Sequence, residues 1–528
     1  MKKILYIVIA FFLIGLYSSC NDFLEEKQQS SKDIESAFQS KDDGFAAVNM
    51  LYRNGVSNYF NAGSAYIAPY LFYGGYRTGL FDNQYAGQHL FNSNIYSMTI
   101  DSSVNDGELV NLWRQAYQEI TRFANFALVG IPICPGLSDT ERAQLMAEAK
   151  FFRALNYFYL VKNFGAVPIV DKPMVSLNDD IYPRRSSVKA VYEFILTDLN
   201  SALNDGGLLD KSMPDNALRV TKGSVLALLA DVNLNMAGYP LNDASKYAEA
   251  AQYAKMIKDN SAYALIQSTD KGTKSVYNIL RTSDAEKEYL YQMEFEGSIT
   301  QGGWYPTYAF PMGWVANNPG VIKYSITCST YNPNAGLLKI YDANDDLRIQ
   351  EGQYFHTSYK GIALDDKGSR YPHFFVEEEA LESTALSSKD RVMYRTAEMY
   401  LTFAEADVMS KGTVGDEAVD ALATIQARAS LNKTKDQIKA TLTTLSKDEF
   451  VQEVWKERIR ELMFECKIWN DVTRTRMYPD ISTPNISFVP VIGAKTPYSA
   501  TFQEKDLLYP YPNSEIQRNP NLMQEPIN

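Results

Sequence analysis

The stretch Ser138–Val170, SDTERAQLMAEAKFFRALNYFYLVKNFGAVPIV, decides the fold. Ser138 followed three residues later by Glu141 is a capping box, so the spacing predicts a helix starting there. From Leu145, alanines, leucines and aromatics fill nearly every helical position. Only Glu148, Lys150, Arg153 and Asn156 interrupt them before Lys162. A helix apolar on almost every side is buried among other helices. Gly165 supplies a left-handed residue to close it, and Pro168 blocks its continuation. Val167 to Val170 then leaves as an extended segment.

Outward from this helix the chain repeats the pattern. Asp42 to Tyr52 reads as a first helix, and Trp113 to Leu128 as another. Tyr192, Ile195, Leu199 and Ala202 mark the helix after the central one. Thr221 caps the next, which runs on through Val225 to Leu234, and Asp243 is placed to cap an alanine-rich partner over Ala244 to Lys258. Helix pairs with small alanine contacts suit tetratricopeptide-like hairpins, because alanine lets helix axes approach closely. The strict repeat consensus is absent. Helices resume at Arg391, and Ser446 with Glu449 is a second capping box.

Two stretches break the helical period. Asn54 to Tyr96 is rich in Gly, Asn and Tyr, with Gly74-Gly75 as a turn signal. Ser261 to Lys389 alternates short apolar or aromatic runs with Gly, Pro and Asn. Within it, Tyr341 to Arg348 first reads as a calcium loop. Counted from Asp342, it lacks the sixth-position Gly and the twelfth-position Glu. A surface turn with an Asp345–Arg348 pair is the expectation.

Composition narrows the function. The 528 residues are 45% hydrophobic and 22% charged, as in an ordinary soluble globular protein. Net charge is −12, which argues against nucleic acid and against adhesion to anionic lipid. The 36 tyrosines offer neutral aromatic surface for flat neutral ligands. Met1-Lys2-Lys3 precedes an apolar run from Ile4 to Leu16, about 13 residues, a signal-peptide core too short to span a bilayer. Ser18-Ser19-Cys20 follows in the manner of a lipobox, whose Cys is acylated after cleavage. Tyr17 departs from that pattern, and an ordinary secretory site is the plainer alternative. Three further, widely spaced cysteines (Cys134, Cys328 and Cys466) form neither a disulfide framework nor a zinc site.

The chain offers no convincing catalyst. Glu457, Glu461 and Glu465 share one helical stripe beside Arg458 and Arg460, which keep carboxylates ionised; a glycosidase acid needs a raised pKa. His89, His356 and His373 share no short helical spacing, and no phosphate-binding glycine motif occurs. What the chain does offer is an aromatic platform: QGGWYPTYAFPMGW from Gln301 to Trp314, where Gly and Pro forbid a long helix. Sugar rings stack C–H faces on Trp and Tyr, while Asn, Asp and Gln bond their hydroxyls. The expected ligand-binding residues are Trp304, Trp314, Tyr305 and Tyr308, with Asp82, Asn83 and Tyr85 from the first loop. No metal or cofactor is implied.

The motif Glu148-Ala149-Lys150-Phe151-x-Arg153-Ala154-x-x-Tyr157-x-x-Leu160-Val161-x-x-Phe164-Gly165-x-Val167-Pro168 resembles the signature of the SusD/RagB family. These are nutrient-binding lipoproteins of the Gram-negative outer membrane. The resemblance continues in Trp113-x-x-x-Tyr117, Arg395-x-Ala397-Glu398, Ile425-x-Ala427-Arg428-Ala429 and Glu457-Arg458-x-Arg460-Glu461-Leu462-x-Phe464-Glu465-x-x-x-Trp469-x-Asp471. It closes with Tyr509-Pro510-x-Pro512-x-Ser514-Glu515-x-x-x-Asn519-Pro520. It is thinnest over 54–100 and 261–390.

The resemblance implies a mainly α protein, with tetratricopeptide-like helical pairs as scaffold and a loop-rich lobe containing little β. The expected organisation is a signal peptide over 1–19, a lipidated Cys20 and tether over 20–45, and one domain over 46–528. Its scaffold helices lie about 105–260 and 391–475, and its ligand-facing lobe about 54–100 and 261–390. The implied role is capture of an oligosaccharide at the cell surface and delivery to a SusC-like TonB-dependent transporter. A peptide ligand in the same role, or a surface glycoside hydrolase, are the alternatives.

Overall fold

The computed structural model describes residues 34–54, 72–174, 180–297, 302–323 and 329–527. The signal peptide, Cys20, Gln301 and Cys328 lie outside the described residues. In chain order the longer scaffold helices are α1 (Lys41–Asn54), α2 (Asp106–Gln118), α3 (Asn125–Ile133), α4 (Asp139–Phe164), α5 (Val188–Asp205) and α6 (Lys222–Ala237). They continue as α7 (Lys246–Lys258), α8 (Thr396–Lys411), α9 (Asp416–Ala429), α10 (Lys435–Leu442), α11 (Lys447–Glu461) and α12 (Ile468–Thr475).

The central helix α4 begins and ends where its residues dictate. Ser138 and Glu141 form the reciprocal capping box. At the other end Gly165 takes φ 75° and ψ −125°, a positive φ that favours glycine. Tyr157 and Phe158 are buried with the rest of its apolar surface. The charged interruptions are paired. Arg153 holds Asp198 of α5 with two bonds of 2.7 Å. Glu148 receives Arg219 at 2.7 Å and the Tyr52 hydroxyl at 2.5 Å. The buried charge on α4 therefore ties it to its neighbours.

The helices stack as an array in which α4 packs on α5, α5 on α6, α6 on α7, α7 on α8, and α8 on α9. The step from α7 to α8 crosses the whole 261–390 excursion, which leaves and returns so that the array continues unbroken. One antiparallel strand pair marks the root of that excursion: β1 (Tyr289–Met293) against β2 (Arg391–Arg395). The remaining strands are two to four residues long. The expected class, mainly α helical pairs with a loop-rich lobe and little β, is what the structure has. The C-terminal tail staples back onto the end of α4, with Tyr509 N–H donating to Asn163 O at 2.8 Å and the Tyr511 hydroxyl to Ala166 O at 2.7 Å.

Local details differ from the sequence reading. α7 begins at Lys246, not Ala244; Asp243 instead accepts from Ser245 N–H and its hydroxyl. Gly74 and Gly75 form no turn. They sit inside a short helix, Tyr73–Thr78, and a second runs Leu90–Ser97. Gly75 is required by packing, because a Cβ there would lie 2.3 Å from the Tyr331 hydroxyl. The Asp342–Arg348 segment is not a surface turn with an Asp345–Arg348 pair. Arg348 is buried and paired with Asp346 at 2.7 Å, while Asp345 accepts from Ser430 and Asn432. No cluster of potential metal ligands occurs among the described residues.

The expected stripe is cut short, because α11 ends at Glu461 and Glu465 sits in the turn beyond it; all three carboxylates nonetheless belong to one ion-pair network. Glu461 is fully buried and meets three arginines: Arg348 at 2.9 Å, Arg395 at 2.7 Å and Arg428 at 2.5 Å. Glu457 takes Arg348 and Arg460, Glu465 takes Arg395, and Glu288 from β1's edge takes Arg395 and Arg428. Burial raises the carboxyl pKa of Glu461, but the surrounding arginines overcome it and hold the value down at about 2. A carboxylate so held cannot donate a proton at neutral pH.

Candidate ligand-binding surface

The aromatic segment from Gly302 to Trp314 is built around a short 3-10 turn, Tyr305–Ala309. Trp304 precedes it, and its carbonyl accepts from Thr307 N–H at 3.1 Å and the Thr307 hydroxyl at 2.7 Å. Paired backbone bonds between Gly303 and Ser387 fix its entry. Trp304 is half-buried.

The other expected stacking residues are turned inward. Tyr305 and Tyr308 lie in a buried aromatic cluster: Phe72 meets both at 5.9 Å and stacks on Tyr331 at 4.2 Å. Tyr331 stacks in turn on Phe81 at 4.0 Å. Trp314 is 5% exposed, stacks on Phe310 at 5.3 Å, and donates its indole N–H to Ala363 O at 2.8 Å. These three rings are spent on packing; they hold the segment and present no open face. Gly and Pro do forbid a long helix here, yet large rings in short irregular turns still bury themselves where a second loop covers them.

That second loop is the one carrying Asp82, Asn83 and Tyr85. Phe81 and Asp82 pair with Pro333 and Asn332 as a two-residue ladder. Asn83 is buried, its side-chain oxygen accepting from Tyr85 N–H at 2.8 Å, and Tyr85 is buried too. Both are turn and core residues. Asp82 stays half-exposed and accepts the Tyr498 hydroxyl at 2.8 Å. Burial pushes its carboxyl pKa up, against the hydrogen bonds from Tyr498 and Asn334. Gln84 joins the two expected regions: its side-chain oxygen accepts from Met312 N–H at 2.6 Å and Ser329 N–H at 3.3 Å.

Tyr498 was not foreseen. It stands at the tip of a tight turn closed by Thr496 N–H to Ala500 O at 2.9 Å, with Ser499 at φ 65°. Its ring lies 4.3 Å from Tyr96 and is 43% exposed. Nothing in Thr496-Pro497-Tyr498-Ser499 distinguishes it from any loop tyrosine. The accessible groups of this region include Trp304, Asp82, Gln84, Tyr498 and Met312. A cavity beside Tyr305 and Arg391 measures only about 50 Å³, too small for a sugar ring.

The structure thus joins a stacked helical scaffold to a loop-rich aromatic lobe, with its central carboxylates locked by arginines. The SusD family model matches residues 314–527, and a second, described as starch-binding associating with outer membrane, matches residues 22–234. The chain belongs to the SusD/RagB family. It is 26% identical to SusD-like protein P2 of Formosa agariphila, over 99% of this chain and 98% of that one. A SusD superfamily protein from Parabacteroides distasonis is 27% identical with a TM-score of 0.77, covering 92% of this chain and 98% of the other. Surface glycan-binding protein A from Bacteroides thetaiotaomicron, in complex with laminarihexaose, shares the fold at 17% identity and TM-score 0.67, covering 91% and 98%.

Proposed function

We propose that this protein is a cell-surface glycan-binding lipoprotein that captures an oligosaccharide and passes it to a SusC-like TonB-dependent transporter. Family membership supports the nutrient-capture role, and the descriptions of its relatives, starch-binding and glycan-binding, favour a sugar ligand. Trp304 is the observation that carries the site. It is the one expected stacking residue that is only half-buried, and it directly precedes the turn whose Tyr305 and Tyr308 are packed into the aromatic cluster. Asp82 and Tyr498 supply polar contacts to sugar hydroxyls. Glu461, the carboxylate that first reads as a glycosidase acid, is pinned by three arginines, which supports binding without hydrolysis.

Outer-membrane association runs through Cys20. Cys20→Ala is expected to yield an unlipidated protein released from membranes, whereas mass spectrometry of the wild type showing a retained, unmodified Cys20 contradicts the anchor. A glycan panel that includes laminarihexaose, followed by calorimetry on the best binder, tests the ligand class. Saturable binding without sugar release is the expected result. Release of reducing sugar supports a hydrolase instead, and binding only to oligopeptides supports a peptide receptor.

A further inference from the structure

Phe81 and Asn83 are buried while Asp82 and Gln84 face outward, the alternation of a strand. The ladder they stand on is prolonged at both ends. Asn334 N–H donates to Leu80 O at 2.8 Å, and Gln84 N–H to Ser329 O at 3.0 Å. Asp82 accepts from Tyr498 at 2.8 Å and from Asn334 at 3.5 Å, both on Oδ1, which leaves Oδ2 for an outside donor. Gln84 Oε1 takes two backbone N–H groups, from Met312 and Ser329. The amide cannot flip without setting donor against donor twice. Its NH2 is thereby turned away from both backbone amides, on an exposed side chain, with no protein partner for it among the described residues.

Tyr498 completes this face. A single exposed aromatic is ordinary on a protein surface. This one is held at three points. Its hydroxyl donates to Asp82, and its ring packs 4.3 Å from Tyr96, whose own hydroxyl donates to Phe81 O at 2.6 Å. Its turn is closed by Thr496 N–H to Ala500 O and by Ser499 N–H to Thr496 O, both at 2.9 Å. Little side-chain freedom remains to be lost on binding. An open ring face, a free acceptor and an oriented donor are the components from which sugar sites are assembled.

We propose that Tyr498, Asp82 and Gln84 form a second sugar subsite. A sugar ring stacks on the exposed side of Tyr498, one of its hydroxyls donates to Asp82 Oδ2, and Gln84 Nε2 donates to an acceptor oxygen of the same glycan chain. Tyr498 acts chiefly through its ring, because its proton is already given to Asp82. The subsite rests on the glycan reading and extends it. Gln84 is bonded to Met312, at the end of the segment that Trp304 begins, so the two stacking faces belong to one continuous surface. Two such faces call for an oligosaccharide, not a monosaccharide.

Titration calorimetry on the mature protein tests it, with cellohexaose, maltohexaose and laminarihexaose as probes and thermal melts alongside. For the tightest of the three, Tyr498→Ala is expected to weaken binding about tenfold with an unchanged melt. Tyr498→Phe keeps the ring and should stay within about threefold of wild type, and Gln84→Met should lose about fivefold. Wild-type affinity in Tyr498→Ala, a Tyr498→Phe as weak as Tyr498→Ala, or a loss that comes only with a lowered melt overturns the subsite. Wild-type affinity in Gln84→Met overturns the part given to Gln84. Trp304→Ala, measured in the same series, separates the two readings: a loss there beside an unchanged Tyr498→Ala overturns this subsite alone. No saturable heat from any of the three probes up to about 10 mM also overturns it, and the glycan class is then decided by the wider panel.

Discussion

Replacing Glu461 by Gln removes the charge on which three buried arginines converge. The magnitude follows from the carboxyl itself. Its pKa falls from 4.5 to about 2, and each unit is worth about 1.4 kcal/mol, giving about 3 kcal/mol of stability at neutral pH. Leaving Arg348, Arg395 and Arg428 short of a counter-charge in the core puts the cost in the same range, about 3–5 kcal/mol. The sign is fixed by the direction of the shift. A depressed carboxyl pKa stabilises the fold above 4.5 and loses that contribution as pH falls toward 2. Urea unfolding of wild type and Glu461→Gln, followed by circular dichroism, should show the full gap at pH 7. The gap should narrow as pH drops below about 4.5. A loss under about 1 kcal/mol at pH 7, or a gap that does not change with acid, refutes the reasoning.

Asp390 behaves in the opposite sense. Burial, and then the nearby Asp284, raise its pKa from 3.8 to about 7, so its ionisation destabilises the fold as pH climbs from about 4 to 7. Asp390→Asn should flatten that slope by on the order of 1–3 kcal/mol, and parallel slopes in the two proteins contradict it. Gly75→Ala should cost about 1–3 kcal/mol, because Tyr331 is clamped between Phe72 and Phe81 and has nowhere to move. An unchanged melt removes that account of the glycine.

The scaffold was legible because helices announce themselves locally. Ser138 with Glu141, Thr221, and Ser446 with Glu449 each fixed a helix start that the structure keeps. The apolar run of α4 foretold its burial, and Arg460 beside Glu457 foretold ion pairing, whereas Glu461 pairs with Arg348, Arg395 and Arg428 and not with Arg458 or Arg460. The lobe was less legible, since burial there is decided by partners far along the chain. Tyr305 and Tyr308 are buried by Phe72, more than 200 residues earlier, and Trp314 by Tyr359 and the Ala363 carbonyl. No local period records such contacts. Arg348 was misread for the same reason: its sequence neighbour Asp345 bonds elsewhere, while its decisive partners, Glu457 and Glu461, lie over 100 residues away. Tyr498 was invisible because only the fold brings it to Asp82.

The central claim is that Trp304 forms the sugar-stacking face of a glycan receptor. Titration calorimetry of wild type and Trp304→Ala, with the oligosaccharide that binds best in the glycan panel and with thermal melts alongside, tests it directly. A stacking tryptophan is worth on the order of 1–2 kcal/mol, so the account predicts roughly a tenfold loss of affinity with an unchanged melt. Unchanged affinity in Trp304→Ala contradicts it.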